Sequence, residues 1–270
     1  MGFGTSDERG GIDWSKAAAD YARFRPGPPP SFYARLAAFG TGLPGQRILD
    51  LGTGTGVLAR TFARQGAVVA GIDVADGQLA MARALAEQEG LAVDFRQASA
   101  EATPFADGAF DRITANQCWS YFDKAKAIPE ARRLLAPGGM LVITHFSWLT
   151  HNDRIGRASE DLIYKHNPRF DTGRWSGEIR SMPQLAEGVR TCGLFWYDEP
   201  IEFTRETWRG RIRANRGVGA TLSPEAVAAF DAEHDAMLRR MGAEAFTVLH
   251  RLNATFYAFD EGLERESRWN

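Results

Sequence analysis

From residue 46 onward the chain alternates between two hydrophobic rhythms. Short runs of apolar residues are separated by longer stretches whose apolar positions lie three or four apart, the signatures of buried strands and amphipathic helices. Residues 47–51 predict a first strand and 57–65 a helix. Residues 67–72 predict a second strand, and 77–88 a helix with Leu79, Met81, Ala82 and Leu85 on its stripe. Strands three and four fall at 93–96 and 110–115. A helix at 124–135 stops before Pro137-Gly138-Gly139, and strand five follows at 140–145. Such alternation predicts a parallel sheet with helices on both faces, which binds ligands at the carboxyl ends of its strands near the switch point.

The rhythm breaks after His145. Residues 147–177 mix aromatics, Asn, Gly and Pro without clean periodicity and read as a loop-rich lid. A helix is expected at 182–192, stopped by Gly193, and a strand at 194–197. Helices follow at 205–213 and 224–241, the second opening on Ser223-Pro224-Glu225, a hydroxyl cap with proline at the first helical position. Residues 246–259 read as a long final strand with imperfect alternation. Two helices thus interrupt the last two strands as part of a cap. The chain divides into an N-terminal lid (1–45), a ligand-binding core (46–146) and cap insertions with the last strands (147–270). No internal repeat is evident.

Composition narrows the function. Of 270 residues, 44% are hydrophobic and 24% charged, a balance typical of globular proteins, and the net charge of -2 carries no global basic field of the kind that nucleic acid attracts. Cys118 and Cys192 are too few for a disulfide scaffold or a zinc site, so no metal is expected. No run of about 18 apolar residues reads as a membrane span. Residues 1–11 are polar and glycine-rich, without an apolar signal core, and read as a frayed end of a cytoplasmic protein.

The chemistry concentrates at Arg47-Ile48-Leu49-Asp50-Leu51-Gly52-Thr53-Gly54-Thr55-Gly56. Glycines at alternate positions between strand and helix suit a sharp turn with a ligand lying on the backbone. A dinucleotide fingerprint needs Gly-x-Gly-x-x-Gly. Here the third glycine comes one residue early and Val57 fills its place, which argues against a pyrophosphate. The run resembles motif I of the class I S-adenosylmethionine (SAM) methyltransferases, Asp/Glu-x-Gly-x-Gly-x-Gly. SAM carries an ammonium and a sulfonium and no phosphate, which suits Asp50 at the strand end. That resemblance implies a Rossmann-like α/β fold with a seven-stranded, mostly parallel sheet, helices on both faces and a helical cap. Gly52, Thr53, Gly54 and Gly56 would then lie along the cofactor.

Other residues extend the resemblance. Asp73 ends strand two, 17 residues beyond Gly56, where a carboxylate accepts hydrogen bonds from both ribose hydroxyls, with Val74 against the adenine face. Capping of the next helix is the competing role for Asp73. Ser99-Ala100-Glu101-Ala102-Thr103-Pro104-Phe105 is similar to the family's Gly-Asp-Ala-Glu-x-x-Pro-Phe loop, with Ser99 replacing the aspartate. Adenine contacts fall to Ser99, the Ala100 backbone and Glu101. Asn116-Gln117-Cys118-Trp119-Ser120-Tyr121-Phe122-Asp123 resembles a run in bacterial small-molecule enzymes of the trans-aconitate methyltransferase type, with Ser120 and Tyr121 replacing His and Trp. Asn116 and Gln117 would flank the SAM amino group. Tyr21-Ala22-Arg23-Phe24-Arg25-Pro26 resembles that group's Tyr-x-x-x-Arg-Pro, and Tyr21 and Arg25 would meet the methionine carboxylate, against ordinary surface packing.

On the acceptor side, His145 closes strand five and is the candidate base, although a lone histidine is more often structural, and His151 begins the lid. Trp119, Tyr121, Trp148, Trp175 and Trp208 are candidates for the wall of an acceptor pocket or for plain core. In the run 206–217, Arg209, Arg213 and Arg216 fall near one face if the helix continues. They would either grip an anionic acceptor or pair with acids such as Asp231 and Glu233. The expected activity is methyl transfer from SAM to an O or N atom of a small molecule, by a monomer or homodimer. Other chemistry on SAM, such as intramolecular attack or substrate cyclisation, stays open, as does a non-catalytic SAM-binding or nucleic-acid-associated module.

Overall fold

A computed structural model describes residues 23–24, 27–170, 175–179, 186–242 and 244–260. Seven strands form one sheet in the order β3-β2-β1-β4-β5-β7-β6. They are β1 (Arg47–Leu51), β2 (Val68–Asp73), β3 (Val93–Gln97), β4 (Phe110–Asn116), β5 (Leu135–Trp148), β6 (Val189–Thr204) and β7 (Ala245–Phe259). The pairs among β1–β5 are parallel, and β7 runs antiparallel to β5 and β6. The helices are α1 (Pro30–Ala38), α2 (Val57–Arg64), α3 (Asp76–Gln88), α4 (Lys124–Leu134), α5 (Arg154–His166), α6 (Arg205–Arg213) and α7 (Pro224–Arg240).

Strand alternation divides the core between the two faces. Ile48, Val69, Val142 and Phe146 join Phe32 of α1, Phe62 of α2 and Leu79 of α3. Their neighbours Leu49, Ala70 and Leu141 point the other way, onto Ile128 and Leu134 of α4. A third core, built from Trp148, Ile163, Trp208, Phe230 and Val248, holds α5, α6 and α7 together as a cap. Among the described residues no helix is long and apolar enough to cross a membrane.

Three expectations are corrected. The lid at 147–177 contains a regular helix, α5, capped by Asp153, whose Oδ1 accepts from Gly156 N at 2.7 Å. Its buried face includes Gly156, Ser159 and Glu160, which broke the apolar stripe. The helix expected at 182–192 is already strand from Val189, and Gly193 lies inside β6 at a register shift. A Cβ there would sit 3.2 Å from the Phe39 ring, so the glycine makes room for an aromatic instead of stopping a helix. Strand five runs on to Trp148 because β7 pairs with it as far as Trp148↔His250. The start of the expected 182–192 helix and the N-terminal stretch 1–11 lie outside the described residues.

Candidate functional site

The chain leaves β1 and turns through three glycines into α2. Gly52, Gly54 and Gly56 have φ of 58°, 56° and 75°, the left-handed region that suits glycine. Their surroundings differ. A Cβ on Gly52 would lie 2.8 Å from Cβ of Cys118, and one on Gly56 2.8 Å from the Phe95 ring. A Cβ on Gly54 would meet only Gln78 Oε1, 3.9 Å away. Gly52 and Gly56 are therefore required by packing, whereas the backbone at Gly54 faces open space.

Two carboxylates organise this turn. Asp50 is buried and accepts hydrogen bonds from Thr53 Oγ1 at 2.7 Å and Thr114 Oγ1 at 2.6 Å. Burial pushes its pKa up to about 6, against the opposing effect of the two hydroxyls. Asp73 accepts from Gly54 N and Ala75 N, each at 2.9 Å, and burial raises its pKa while these donors oppose the rise. Thr53 N donates to Ile72 O at 2.8 Å and Gly56 N to Thr53 O at 2.9 Å. Three N–H groups of the turn are thus engaged within the protein. A phosphate loop presents such groups to its ligand. A turn with its donors engaged and a carboxylate beneath it suits a cationic ligand instead.

A cleft partly open to solvent lies over the turn. Asp50, Gly52 and Thr53 line it from β1, Val57 and Leu58 from α2, Asn116 and Gln117 from the end of β4, Phe146 from β5, and Gly27 and Pro28 from the N-terminal segment. The chain leaves β1 toward β2 on one side and β4 toward β5 on the other, so this is the switch point of the sheet. Asp73 borders the glycine turn through its bond to Gly54, and half-buried Val74 follows it. Ala98 N donates to Asp73 O at 3.2 Å, which sets Ser99 beside that strand end. Ser99 Oγ contacts the Glu101 carboxylate, Ala100 is buried, and Glu101 Oε1 accepts from Asp123 N at 2.8 Å.

The acceptor-side candidates separate. His145 lies one residue from Phe146, and strand alternation turns it to the opposite sheet face, where its ring meets Trp175 at 4.7 Å. Phe146 lines the cleft in its place. The signal for it was the period-two partner Val142, which shares its core. Trp119 is buried edge-on against Phe122 in the sheet core. Trp148 is buried in the cap, donating through Nε1 to Glu160 Oε2 at 3.1 Å with the Arg211 guanidinium over its ring. Both tryptophans are therefore core, because each packs against the helices that cover its own face. Tyr121 is exposed, with the Arg216 guanidinium 5.8 Å from its ring centre.

The arginine run splits at the end of α6. Arg209 and Arg213 share a helix face and both bind Asp231, Arg213 at 2.8 Å. Glu233 instead binds Lys165 and His166. Arg216 lies beyond the helix, in the following turn. Tyr21 and Arg25 lie outside the described residues, but their neighbours are placed. A Cβ on Gly210 of α6 would overlap the Phe24 ring, and one on Gly27 would fall 2.6 Å from Val57 Cγ1. Gly27 and Pro28 had no distinguishing pattern in the sequence, since their place in the cleft is set by this packing.

Residues 49–143 match the family described as a methyltransferase domain. Demethylmenaquinone methyltransferase of Thermus thermophilus is 50% identical over 104 residues, 37% of this chain and 47% of that protein. Ubiquinone biosynthesis O-methyltransferase of Ruegeria pomeroyi is 32% identical over 159 residues, 58% of this chain and 62% of that protein. The chain thus spans about half to three fifths of the length of these curated relatives. A protein of Anaeromyxobacter dehalogenans assigned as a type II methyltransferase superposes with a TM-score of 0.61 at 20% identity, over 87% of this chain and 98% of that one. Phosphoethanolamine N-methyltransferase 2 of Haemonchus contortus, solved with phosphomonomethylethanolamine and S-adenosylhomocysteine, gives 0.55 at 21% identity over 92% of this chain and 58% of that one. The fold is the Rossmann-like fold of class I methyltransferases.

Proposed function

We propose that this chain is a SAM-dependent methyltransferase acting on an O or N atom of a small-molecule acceptor. The observation that carries the reading is the cleft at the switch point, with Asp50 beneath it, the bare backbone of Gly54 beside it and three N–H groups of the turn bonded within the protein. The match of residues 49–143 to the methyltransferase domain supports it. Relatives named as methyltransferases favour methyl transfer over other SAM chemistry or a binding module, and a relative named as an O-methyltransferase favours oxygen. A place within the trans-aconitate type rests on the 116–123 and 21–26 runs alone.

In this reading residues 46–146 hold the cofactor, 1–45 form a lid over it, and 147–270 supply the cap and the last strands. Asp73 takes the ribose hydroxyls, and its bonds to Gly54 and Ala75 hold it ready. Val74, Ser99, Ala100 and Glu101 flank the adenine. Asp50, Thr53, Asn116 and the Gln117 backbone surround the methionine end, with Gly52 and Gly56 shaping the turn. Tyr21 and Arg25 remain candidates for the methionine carboxylate. Bound SAM supplies a methyl group on a positively charged sulfur. The protein aligns the nucleophile with that methyl and excludes water. Phe146, Tyr121 and Arg216 face the acceptor, and Arg216, whose guanidinium lies 5.8 Å from the Tyr121 ring centre, is the arginine assigned to an anionic group.

S-adenosylhomocysteine at millimolar concentration should raise the Tm by linkage. Gly54→Val should remove most of that rise by filling the ligand's space. A folded wild-type sample with no rise refutes the reading. Formation of methylthioadenosine in place of S-adenosylhomocysteine from SAM transfers the assignment to aminopropyl chemistry.

A further inference from the structure

Gln117 combines three features on one residue of the cleft wall. It is the non-glycine residue with positive φ among the described residues, at 60°, a conformation that residues with side chains disfavour. Its Nε2 donates to the backbone carbonyl of Phe146. A carbonyl can only accept, so this bond fixes which end of the amide is nitrogen. The other end, Oε1, is buried and has no hydrogen-bond partner among the described residues. Backbone outliers cluster where a ligand is handled.

The position of Gln117 decides which ligand meets it. Asp73 on β2 and Asp50 on β1 mark the cofactor's side of the cleft. The sheet continues through β4 to β5, and every helix of the cap follows β5 in the chain. Gln117 lies one residue past Asn116, bonded to β5 at Phe146. Its turn leads to Tyr121, over which the cap's Arg216 is placed. Gln117 therefore stands at the β4–β5 side of the cleft, away from Asp73 and next to the strand after which the cap helices follow.

We propose that Gln117 Oε1 accepts a hydrogen bond from the protonated nucleophile of the methyl acceptor, which is accordingly a hydroxyl or an amine and not a carboxylate. This rests on the methyltransferase reading. A carboxylate would set lone pairs against Oε1, whereas an O–H or N–H satisfies it. In the transfer, the lone pair of that oxygen or nitrogen forms the bond to the methyl carbon. The C–S bond breaks with its electron pair going to sulfur, and the nucleophile's proton leaves to solvent. Gln117 is a positioning residue here: an amide oxygen does not keep the proton, but by holding the hydrogen it aims the lone pair.

The test uses the full chain with Gln117→Gly, which accepts the positive φ, and Gln117→Met. The first readout needs no turnover: the Kd for S-adenosylhomocysteine should weaken less than acceptor binding does in both variants. The second offers a phenol, a catechol, an aliphatic amine and matching carboxylates to the S-adenosylhomocysteine complex, read by thermal shift, and to the SAM-loaded enzyme, read by product. Hydroxyl or amine compounds should bind and react, with kcat/KM about tenfold lower in the variants, the loss of one hydrogen bond. A tenfold weaker Kd for S-adenosylhomocysteine would assign Oε1 to the cofactor and overturn the proposal. So would a wild-type preference for carboxylates, or for none of the panel, or unchanged turnover in the variants. Failure of wild type to bind S-adenosylhomocysteine at all would sink the methyltransferase reading itself.

Discussion

Asp50 is a carboxylate where its own charge is disfavoured. Burial raises its pKa from 3.8 to about 6, so the free protein holds a proton there that the unfolded chain has lost by pH 5. Because the folded value is raised, this contribution to stability is complete below pH 3.8 and is lost as pH rises through about 6. A cation in the cleft favours the ionised form and reverses the balance. Binding of S-adenosylmethionine should therefore release a proton near pH 5.5, and its affinity should weaken as pH falls below 6. Calorimetry in two buffers of different ionisation enthalpy reads the proton directly; equal heats would show that Asp50 is already ionised or untouched. The sequence revealed Asp50 and the three glycines because a turn of this kind constrains residue type at every position. It did not separate Gly54, open to a ligand, from Gly52 and Gly56, which make room for Cys118 and Phe95. That distinction depends on residues far away in the chain.

Helices α5, α6 and α7 form a cap whose core is aromatic and polar together. His250 is buried among Phe146, Trp148, Phe203 and Trp208, and burial lowers its pKa to about 3, with its Nδ1 on Val248 O at 2.8 Å. His234 is lowered to about 4, chiefly by burial, with Nε2 on Ser159 Oγ at 3.0 Å. Both fold as neutral rings. As pH falls from 6.5 toward 3, the unfolded chain takes up protons that these sites refuse, so stability is lost across that window and is intact above it. The urea midpoint should drop between pH 7 and pH 5, and His250→Phe should flatten part of that drop; an unaltered slope would mean that His250 titrates freely. This polar core also explains the unequal legibility of the elements. Helices α2–α4 were readable because each buries an apolar stripe against the sheet, and strands β1, β2 and β4 because their buried residues are mostly apolar. Helix α5 was not, because its inner face presents Ser159 and Glu160, satisfied by Trp208 and Trp148. The length of β6 was hidden as well, since its alternation is interrupted at Gly193.

At the scale of the molecule, the cap and the sheet were both expected, and the fastening between them was not. Phe24 is seated on Gly210 of α6, and Gly27 on Val57 at the start of α2. The two residues are three positions apart, and three residues of extended chain reach at most about 11 Å. One short stretch thus grips the cap at one end and the rim of the cofactor cleft at the other. The cap and the cofactor cleft share this fastening, so a motion that opens one should loosen the other. Turnover should accordingly follow a compulsory order, with one product obliged to leave before the next can escape. Product-inhibition patterns against each substrate report that order. Gly210→Val, whose side chain would displace Phe24, should convert it to random exit and leave the sheet folded. A random pattern already present in the wild type would mean that the two exits open independently.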